Sequence, residues 1–181
     1  MKKKLRQAQR YYEKGKGPQE QTIEEYLRNR DDAIVHGGRA TNAFLPDYLD
    51  RLTEDWDIIV PKDAETAAKR IEQLLDERYE GNYFEVRASR HPGTFRVVSR
   101  VTSFPVADIT VSDRPVPFKK LADGINYATL DHHVQRIKAT LQDPNKKFRW
   151  RKDREVLQRI EIHKEEQKQY DIGIDQLPEI F

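Results

Sequence analysis

Two aspartates separated by one residue form the part of this sequence best suited to metal chemistry. Asp55 and Asp57 flank Trp56 and open an apolar run that has the character of a β-strand. Side chains two positions apart project from the same face of a strand, so the two carboxylates would repel each other unless a cation separated them. Oxygen ligands suit Mg²⁺, which proteins commonly hold with one or two carboxylates and substrate phosphates. The alternative is a solvated strand end, because Asp also favours turns.

A third aspartate and a glycine pair could complete such a site. Asp108 interrupts the apolar run at residues 106–111, where a carboxylate is costly to bury unless it is paired or bound to a metal. A solvent-facing position on an edge strand is the alternative. Gly37 and Gly38 stand between a predicted strand and a predicted helix, where a ligand can approach the backbone closely and helix N–H groups can bind phosphate. A simple tight turn is the alternative for the glycines.

Together these groups have the equipment for transferring a nucleotide to a hydroxyl. Three carboxylates on adjacent strands beside a phosphate cradle could hold two divalent ions, Mg²⁺ or Mn²⁺. One ion would lower the pKa of an attacking hydroxyl, and the other would neutralise a leaving pyrophosphate. The third carboxylate, Asp108, could also accept the proton of the attacking hydroxyl.

The surrounding sequence predicts an α/β (α+β) fold, with one mixed β-sheet of about five strands and helices packed on it. Apolar runs predict strands at residues 33–35, 56–60, 83–88, 94–101 and 106–111. Helical spacing of apolar residues predicts helices at residues 2–15, 22–29, 39–52 with an interruption at Pro46, 63–79, 127–141 and 148–167. Thr22 and Glu25 have the spacing of a capping box, which would start a helix, and Asp63 would cap the long helix after it.

The motifs resemble those of the DNA polymerase β-like nucleotidyltransferase superfamily. Residues 36–46 contain the glycine pair followed by Ala, Asn and Leu-Pro, and residues 53–60 contain an Asp-x-Asp-Ile strand. In this combination they are most similar to the poly(A) polymerase catalytic subunits of large DNA viruses and to minimal nucleotidyltransferases. The resemblance covers about residues 30–165. It implies a nucleotidyltransferase-like fold and a Mg²⁺-dependent enzyme that moves an NMP from an NTP to an acceptor hydroxyl and releases pyrophosphate.

The resemblance also implies roles for the residues of the two motifs. Asp55, Asp57 and Asp108 would be the catalytic residues and would bind both metal ions between them. Gly37 and Gly38 would bind the nucleotide phosphates.

Two further nucleotide contacts follow from comparing this sequence with the superfamily pattern. Many members have Ser after the glycine pair, whereas this sequence has Arg39, so either Arg39 or Thr41 would make that phosphate contact. Residues 124–138 resemble a segment in which a helix brings a basic residue near the triphosphate. Lys138 is the candidate for that residue.

A basic and aromatic segment at residues 146–154 indicates the acceptor. Cations interleaved with aromatic rings suit single-stranded nucleic acid, and the predicted contacts are Lys147, Arg149, Trp150 and Arg151. A solvated helix start is the alternative. The segment favours a nucleic acid 3′ end as acceptor, as in a poly(A) polymerase or terminal transferase. The rival hypotheses are a protein or small-molecule acceptor, as in toxin or resistance enzymes, and a non-catalytic nucleic-acid-binding module.

The composition limits these functions further. The 33 Lys and Arg nearly cancel the 31 Asp and Glu, so the net charge is only +2 although 35% of residues are charged. Any polyanion site must therefore come from local clustering. Without Cys there is no thiolate metal site, and high charge with a single Met is typical of thermophiles. No apolar run reaches membrane-spanning length, and no secretory signal is recognisable, so we expect a cytoplasmic protein with no membrane association.

The predicted organisation has three parts. They are a basic N-terminal helix or arm at residues 1–18, a catalytic core at 19–125 and a C-terminal helical segment at 126–181. The expected partners are an NTP, with ATP favoured, and a nucleic acid acceptor, while a homodimer is left open.

Overall fold

The structure, a computed structural model, describes residues 17–174 and the side chains of residues 17–170. The predicted helix at residues 2–15 lies outside the described residues. The elements in chain order are α1 (Pro18–Arg28), β1 (Ile34–His36), α2 (Gly37–Phe44), a 3-10 helix (Asp47–Leu49), β2 (Trp56–Val60), α3 (Ala64–Tyr79), β3 (Phe84–Ala88), β4 (Thr94–Ser99), β5 (Pro105–Val111), β6 (Phe118–Lys120), β7 (Asn126–Ala128), α4 (Leu130–Gln142), a second 3-10 helix (Pro144–Arg149) and α5 (Trp150–Ile174). None of the helices described there is both long and apolar enough to cross a membrane.

The strands form one mixed sheet in the order β3-β4-β5-β2-β1-β7-β6. β2 is parallel to β5 and β1 is parallel to β7, while the other neighbours are antiparallel. The predicted mixed sheet with packed helices is confirmed, but it has seven strands rather than five. The two that the sequence did not indicate, β6 and β7, have three residues each, which is too short for a recognisable alternation.

The main core lies between the sheet and the helices α1 and α3. On β2, Trp56, Ile58 and Val60 are buried and face this core, so Asp57 and Ile59 project from the opposite side of the sheet. The largest fully buried side chains that α1 and α3 contribute are Ile23, Leu27, Ile71 and Leu75. Alternation along β2 therefore places an aspartate on the side of the sheet that these helices leave open.

Two predicted helix starts have different outcomes. α1 begins at Pro18, whose fixed φ and missing N–H suit the first turn, and not at the predicted capping box. Thr22 lies inside the helix, where its hydroxyl donates to the carbonyl oxygen of Pro18 at 2.8 Å. The cap of α3 is confirmed, because the N–H of Thr66 donates to Oδ1 of Asp63 at 3.1 Å.

The helices α4 and α5 form a hairpin with a small core of its own. Ile137, Val156 and Ile160 are buried there. The single residue Thr129 joins α4 to β7, which is part of the sheet. The boundary that the sequence predicts between core and C-terminal segment, at residues 125 and 126, lies immediately before β7.

We expect Ile160→Ala to lower the free energy of unfolding by about 2–5 kcal/mol, because Ile160 is fully buried and truncation would leave a cavity. The control is Ile162→Ala on the same helix, whose side chain is 39% exposed and should cost about 0.5 kcal/mol or less. Urea unfolding followed by circular dichroism measures both changes. Equal losses in the two variants would contradict the packing described for the hairpin.

Candidate active site

Strand pairing brings the three predicted aspartates together. Asp57 on β2 is aligned with Asp108 on the parallel strand β5, and Asp55 comes two residues before Asp57. One carboxylate oxygen from each residue lies within 4.8 Å of the others. Among residues 17–170, this is the one group of three or more His, Cys, Asp or Glu side chains that could hold a metal ion.

Asp57, the central carboxyl of this group, is difficult to ionise. Burial, together with the neighbouring charges of Asp55 and Asp108, raises the pKa of Asp57 to about 6. The positive charges of Lys152 and Arg136 lower that pKa but do not cancel the increase. Near neutral pH the site thus concentrates negative charge that a divalent cation would relieve. Three carboxylates, with oxygen donors only, fit Mg²⁺ or Mn²⁺.

Gly37 lets the start of α2 approach the Asp57 carboxylate. Its φ of +68° lies in the left-handed region, and a Cβ added there would come within 2.1 Å of Oδ2 of Asp57. At Gly38, an added Cβ would meet the Thr53 methyl carbon at 2.4 Å. The predicted glycine pair therefore stands beside the carboxylates, and its first member has both a conformational and a steric reason to be glycine.

Arg39 contacts β2 from the side of the sheet that faces the main core, where Trp56 lies, and not from the side on which Asp57 lies. Its guanidinium donates to the Glu20 carboxylate at 2.6 Å and to the carbonyl oxygen of Asp55 at 3.0 Å. It also lies over the Trp56 ring, 4.1 Å from the centroid. These contacts fix the chain where β2 begins, so Arg39 helps to position Asp55, and its predicted phosphate contact stays a prediction.

The other two predicted nucleotide contacts, Thr41 and Lys138, lie in different surroundings. The Thr41 side chain is buried, and its hydroxyl donates to the carbonyl oxygen of Gly37 at 3.0 Å within α2. Lys138 is exposed on α4, and Arg136 lies on the flank of that helix that reaches the site. Two residues turn through about 200° along a helix, so the side chains of 136 and 138 point in nearly opposite directions.

Arg136 is held at the site by a histidine. It donates to Nδ1 of His36 at 3.0 Å, and His36 is aligned with Asp57 across β1 and β2. Burial lowers the pKa of His36 to about 3, and the charge of Arg136 contributes. The imidazole is therefore neutral near pH 7, which leaves Nδ1 able to accept this hydrogen bond.

A group of cations from α4 and the start of α5 thus faces the carboxylates. Arg136 and Lys152 both lower the pKa of Asp57. The charge of Arg149 lowers the pKa of Arg136, and a terminal nitrogen of Arg149 lies 3.7 Å from Oδ1 of Asp153. The sequence singled out the basic segment that contains Lys152 but did not assign it to the site. Helical periodicity could have placed Arg136 on a flank of α4, but it does not show which flank faces the sheet.

The residues of the predicted nucleic acid segment differ in their exposure to solvent. The indole N–H of Trp150 donates to the carbonyl oxygen of Thr140 at 2.9 Å, and the ring centroid lies 5.8 Å from Nζ of Lys147 and 5.7 Å from Cζ of Arg154. Trp150 is half-buried and packs against α4. The ring that is open to solvent is Phe148, which is 83% exposed.

Asp108 has a partner that the sequence did not reveal. Arg96, aligned with it on β4, donates from Nε to Oδ1 and from a terminal nitrogen to Oδ2, both at 2.5 Å. The ion pair is bidentate, so both oxygens of the third carboxylate are engaged. No sequence pattern links residues 96 and 108, because their contact depends on the register of two strands.

The architecture is that of a nucleotidyltransferase-like fold, as the motifs imply. Over 79% of its length the chain is similar to Megavirus polyadenylate synthase, with a TM-score of 0.62 and 17% sequence identity. The chain spans only 30% of the length of that protein. At this identity the similarity establishes the fold.

Two further solved structures are similar more loosely. MenT4, a nucleotidyltransferase toxin from Mycobacterium tuberculosis H37Rv, is 18% identical with a TM-score of 0.41, covering 66% of this chain and 50% of the toxin. An antigenic nucleotidyltransferase-like protein from Paracoccidioides brasiliensis is 17% identical with a TM-score of 0.44, covering 77% of this chain and 72% of that one. No protein-family model and no curated protein matches the sequence.

We expect Gly37→Ala to weaken Mn²⁺ binding by more than tenfold, because the new methyl group would displace the Asp57 carboxylate. Gly93→Ala is the matched control. Gly93 has a similar φ of +76°, but an added Cβ would meet nothing within 4 Å. Both variants introduce the same type of backbone strain, so calorimetric titration of Mn²⁺ isolates the steric effect. Equal Mn²⁺ affinities in the two variants would contradict it.

Asp57→Asn should stabilise the metal-free protein at pH 8. The folded protein holds the Asp57 proton more tightly than the unfolded chain, because its pKa is about 6 against an ordinary 3.8. Ionising Asp57 therefore lowers the free energy of unfolding. This loss is absent below about pH 4, grows as the pH rises towards 6 and is complete above it, at about 2–3 kcal/mol. Urea unfolding in EDTA should therefore show a gain at pH 8 and almost none at pH 4. Asp113→Asn, at an exposed position, should not change the free energy of unfolding at either pH.

Proposed function

We propose that the protein is a nucleotidyltransferase that moves an NMP from an NTP to the hydroxyl of a nucleic acid 3′ end. The observation that carries the proposal is the convergence of Asp55, Asp57 and Asp108 beside a glycine-lined helix start. The nucleotidyltransferase-like fold supports it. Structural similarity to a polyadenylate synthase makes ATP the first nucleotide to test.

The chemistry requires two divalent cations, for which Mg²⁺ or Mn²⁺ is proposed. Asp55 and Asp57 would hold both ions, and Asp108 would complete one of the two sites. When bound, the ions would lower the pKa of the attacking hydroxyl and neutralise the leaving pyrophosphate. Asp108 would accept the proton as the acceptor oxygen bonds to the α-phosphorus. The bond from that phosphorus to the bridging oxygen breaks, and pyrophosphate leaves with the electron pair.

The triphosphate would lie between the sheet and the helical hairpin. The N–H groups at Gly37 and Gly38 are proposed to bind phosphate oxygens, since they begin α2 beside Asp57. Arg136 and Lys152, whose charges already act on Asp57, would neutralise the β and γ phosphates.

The acceptor is proposed to contact the segment between α4 and α5. Phe148 offers an exposed ring to a base, and Lys147 and Arg151 offer exposed cations to the backbone phosphates. The Arg151 side chain is 93% exposed and is held by Glu155 at 3.2 Å. Aromatic stacking beside cations suits a single-stranded nucleic acid better than a folded protein acceptor.

The direct test is label transfer from each α-labelled NTP, with Mg²⁺ or Mn²⁺, to three acceptor classes: RNA, DNA and protein. We expect ATP to label a single-stranded nucleic acid. Asp57→Ala should abolish incorporation, a loss of at least about a thousandfold, because the central metal ligand is removed. Asp113→Asn, an exposed aspartate beyond the end of β5, should keep full activity.

The outcomes separate the hypotheses. Transfer by Asp57→Ala at the wild-type rate would refute the metal assignment. Labelled protein without labelled nucleic acid would identify a toxin-like acceptor, and no product with any acceptor would favour a non-catalytic binding module.

A further inference from the structure

On the side of the sheet that α1 and α3 leave open, the charges change sign from β2 to β3. Strand register places Asp57 on β2, Asp108 on β5, Arg96 on β4 and Arg87 on β3 in one row. Neighbouring strands lie about 4.8 Å apart, so the two guanidinium groups begin beside the third carboxylate and continue away from the site. The row therefore joins the proposed reaction centre to two arginines that could bind a polyanion, with Glu85 as the acidic partner of Arg87.

The ion pair in the middle of this row restricts Asp108. Arg96 engages both carboxylate oxygens at 2.5 Å. A carboxylate whose two oxygens are both engaged is a poorer cation ligand than a free one. The Arg96 side chain is 41% exposed and that of Asp108 is 16% exposed, so an incoming ligand can reach the arginine more readily than the aspartate. Asp108 would have to lose its ion pair with Arg96 before it could bind a metal ion and accept the proton of the attacking hydroxyl.

We propose that Arg96 releases Asp108 when a single-stranded nucleic acid acceptor binds, because a phosphate of the acceptor draws the guanidinium away from the carboxylate. The inference rests on the proposed function and specifies how its acceptor is recognised. A guanidinium binds phosphate in the same forked geometry as carboxylate, so the exchange replaces one bidentate pair by another. Arg87, whose side chain is 55% exposed and donates from Nε to Glu85 at 2.6 Å, lies next to it and would supply a second cation by exchanging its own carboxylate partner. A neutral alcohol or an uncharged side chain has no group that could compete for Arg96.

This exchange makes two binding events cooperative. A cation and a nucleic acid would each favour the arrangement in which Arg96 has left Asp108, and such coupling is reciprocal. Each ligand must therefore tighten the binding of the other by the same factor.

The test measures Mn²⁺ and RNA binding to the full chain without any NTP. Isothermal titration gives the Mn²⁺ affinity, and fluorescence anisotropy of a labelled single-stranded oligoadenylate gives the RNA affinity. In the wild type we expect saturating RNA to tighten Mn²⁺ binding on the order of tenfold, and Mn²⁺ to tighten RNA binding equally. An oligodeoxyadenylate run in parallel shows whether DNA, which has the same phosphodiesters, does so too.

Three variants isolate the arginine. Arg96→Gln should bind Mn²⁺ about tenfold more tightly without RNA, and RNA should no longer change that affinity. Arg96→Lys keeps the charge but cannot form two parallel bonds, so its values should be intermediate. Arg87→Gln is the matched control two strands from Asp108. It should weaken RNA binding while leaving the Mn²⁺ affinity and the coupling factor unchanged.

Equal Mn²⁺ affinities in the wild type and Arg96→Gln would overturn the proposal, as would coupling that survives in Arg96→Gln. Tightening of Mn²⁺ binding by a tyrosine-containing peptide but not by RNA would also overturn it. Circular dichroism checks each fold, and if Arg96→Gln does not fold, Mn²⁺ binding by Arg96→Lys equal to that of the wild type counts against the proposal. Because no NTP is present, failure of nucleotide transfer and failure of this coupling are separate results.

Discussion

Repulsion among three carboxylates is the interaction on which the arrangement of the site depends. Parallel pairing of β2 with β5 forces Asp57 and Asp108 side by side, and burial prevents water from screening them fully. The fold surrounds these charges with cations from separate elements: Arg96 from the sheet, Arg136 from α4 and Lys152 from α5. Burial first, and then the charges of Asp55 and Asp108, keep the pKa of Asp57 raised despite these cations, and a divalent ion would relieve the concentrated negative charge.

Local patterns predicted most of the fold. The strand at 56–60 and the helix after Asp63 follow from alternation and from a capping side chain, and both are found at those positions. β6 and β7 have three residues each and depend on pairing with β1 and with each other for their existence. The pairing of β7 with β1 joins residues that are distant in sequence, and β6 and β7 are too short to show an alternation of their own.

The site was predictable to the extent that it is built from motifs. The three aspartates could be recognised because a carboxylate in an apolar strand is costly to bury unless it is paired or bound to a metal. The structure brings Asp55, Asp57 and Asp108 together. The surrounding cations could not, since strand register decides that Arg96 meets Asp108, and helix orientation decides that Arg136 faces the sheet. The local sequence specifies the acidic side of the site, whereas tertiary packing specifies the basic side.

The link between the sheet and the helical hairpin has a mechanical consequence. Thr129 donates its N–H to the carbonyl oxygen of Pro117, and its hydroxyl accepts from the N–H of His132 at 3.3 Å. Thr129 thus follows β7 directly and caps α4, so the joint between the sheet and the hairpin is one residue held on both sides. The hydrogen bond from Arg136 to His36 on β1 attaches α4 to the sheet a second time. Two attachments restrict how far α4 can move from the sheet, so a ligand that enters between them would meet cations already in place.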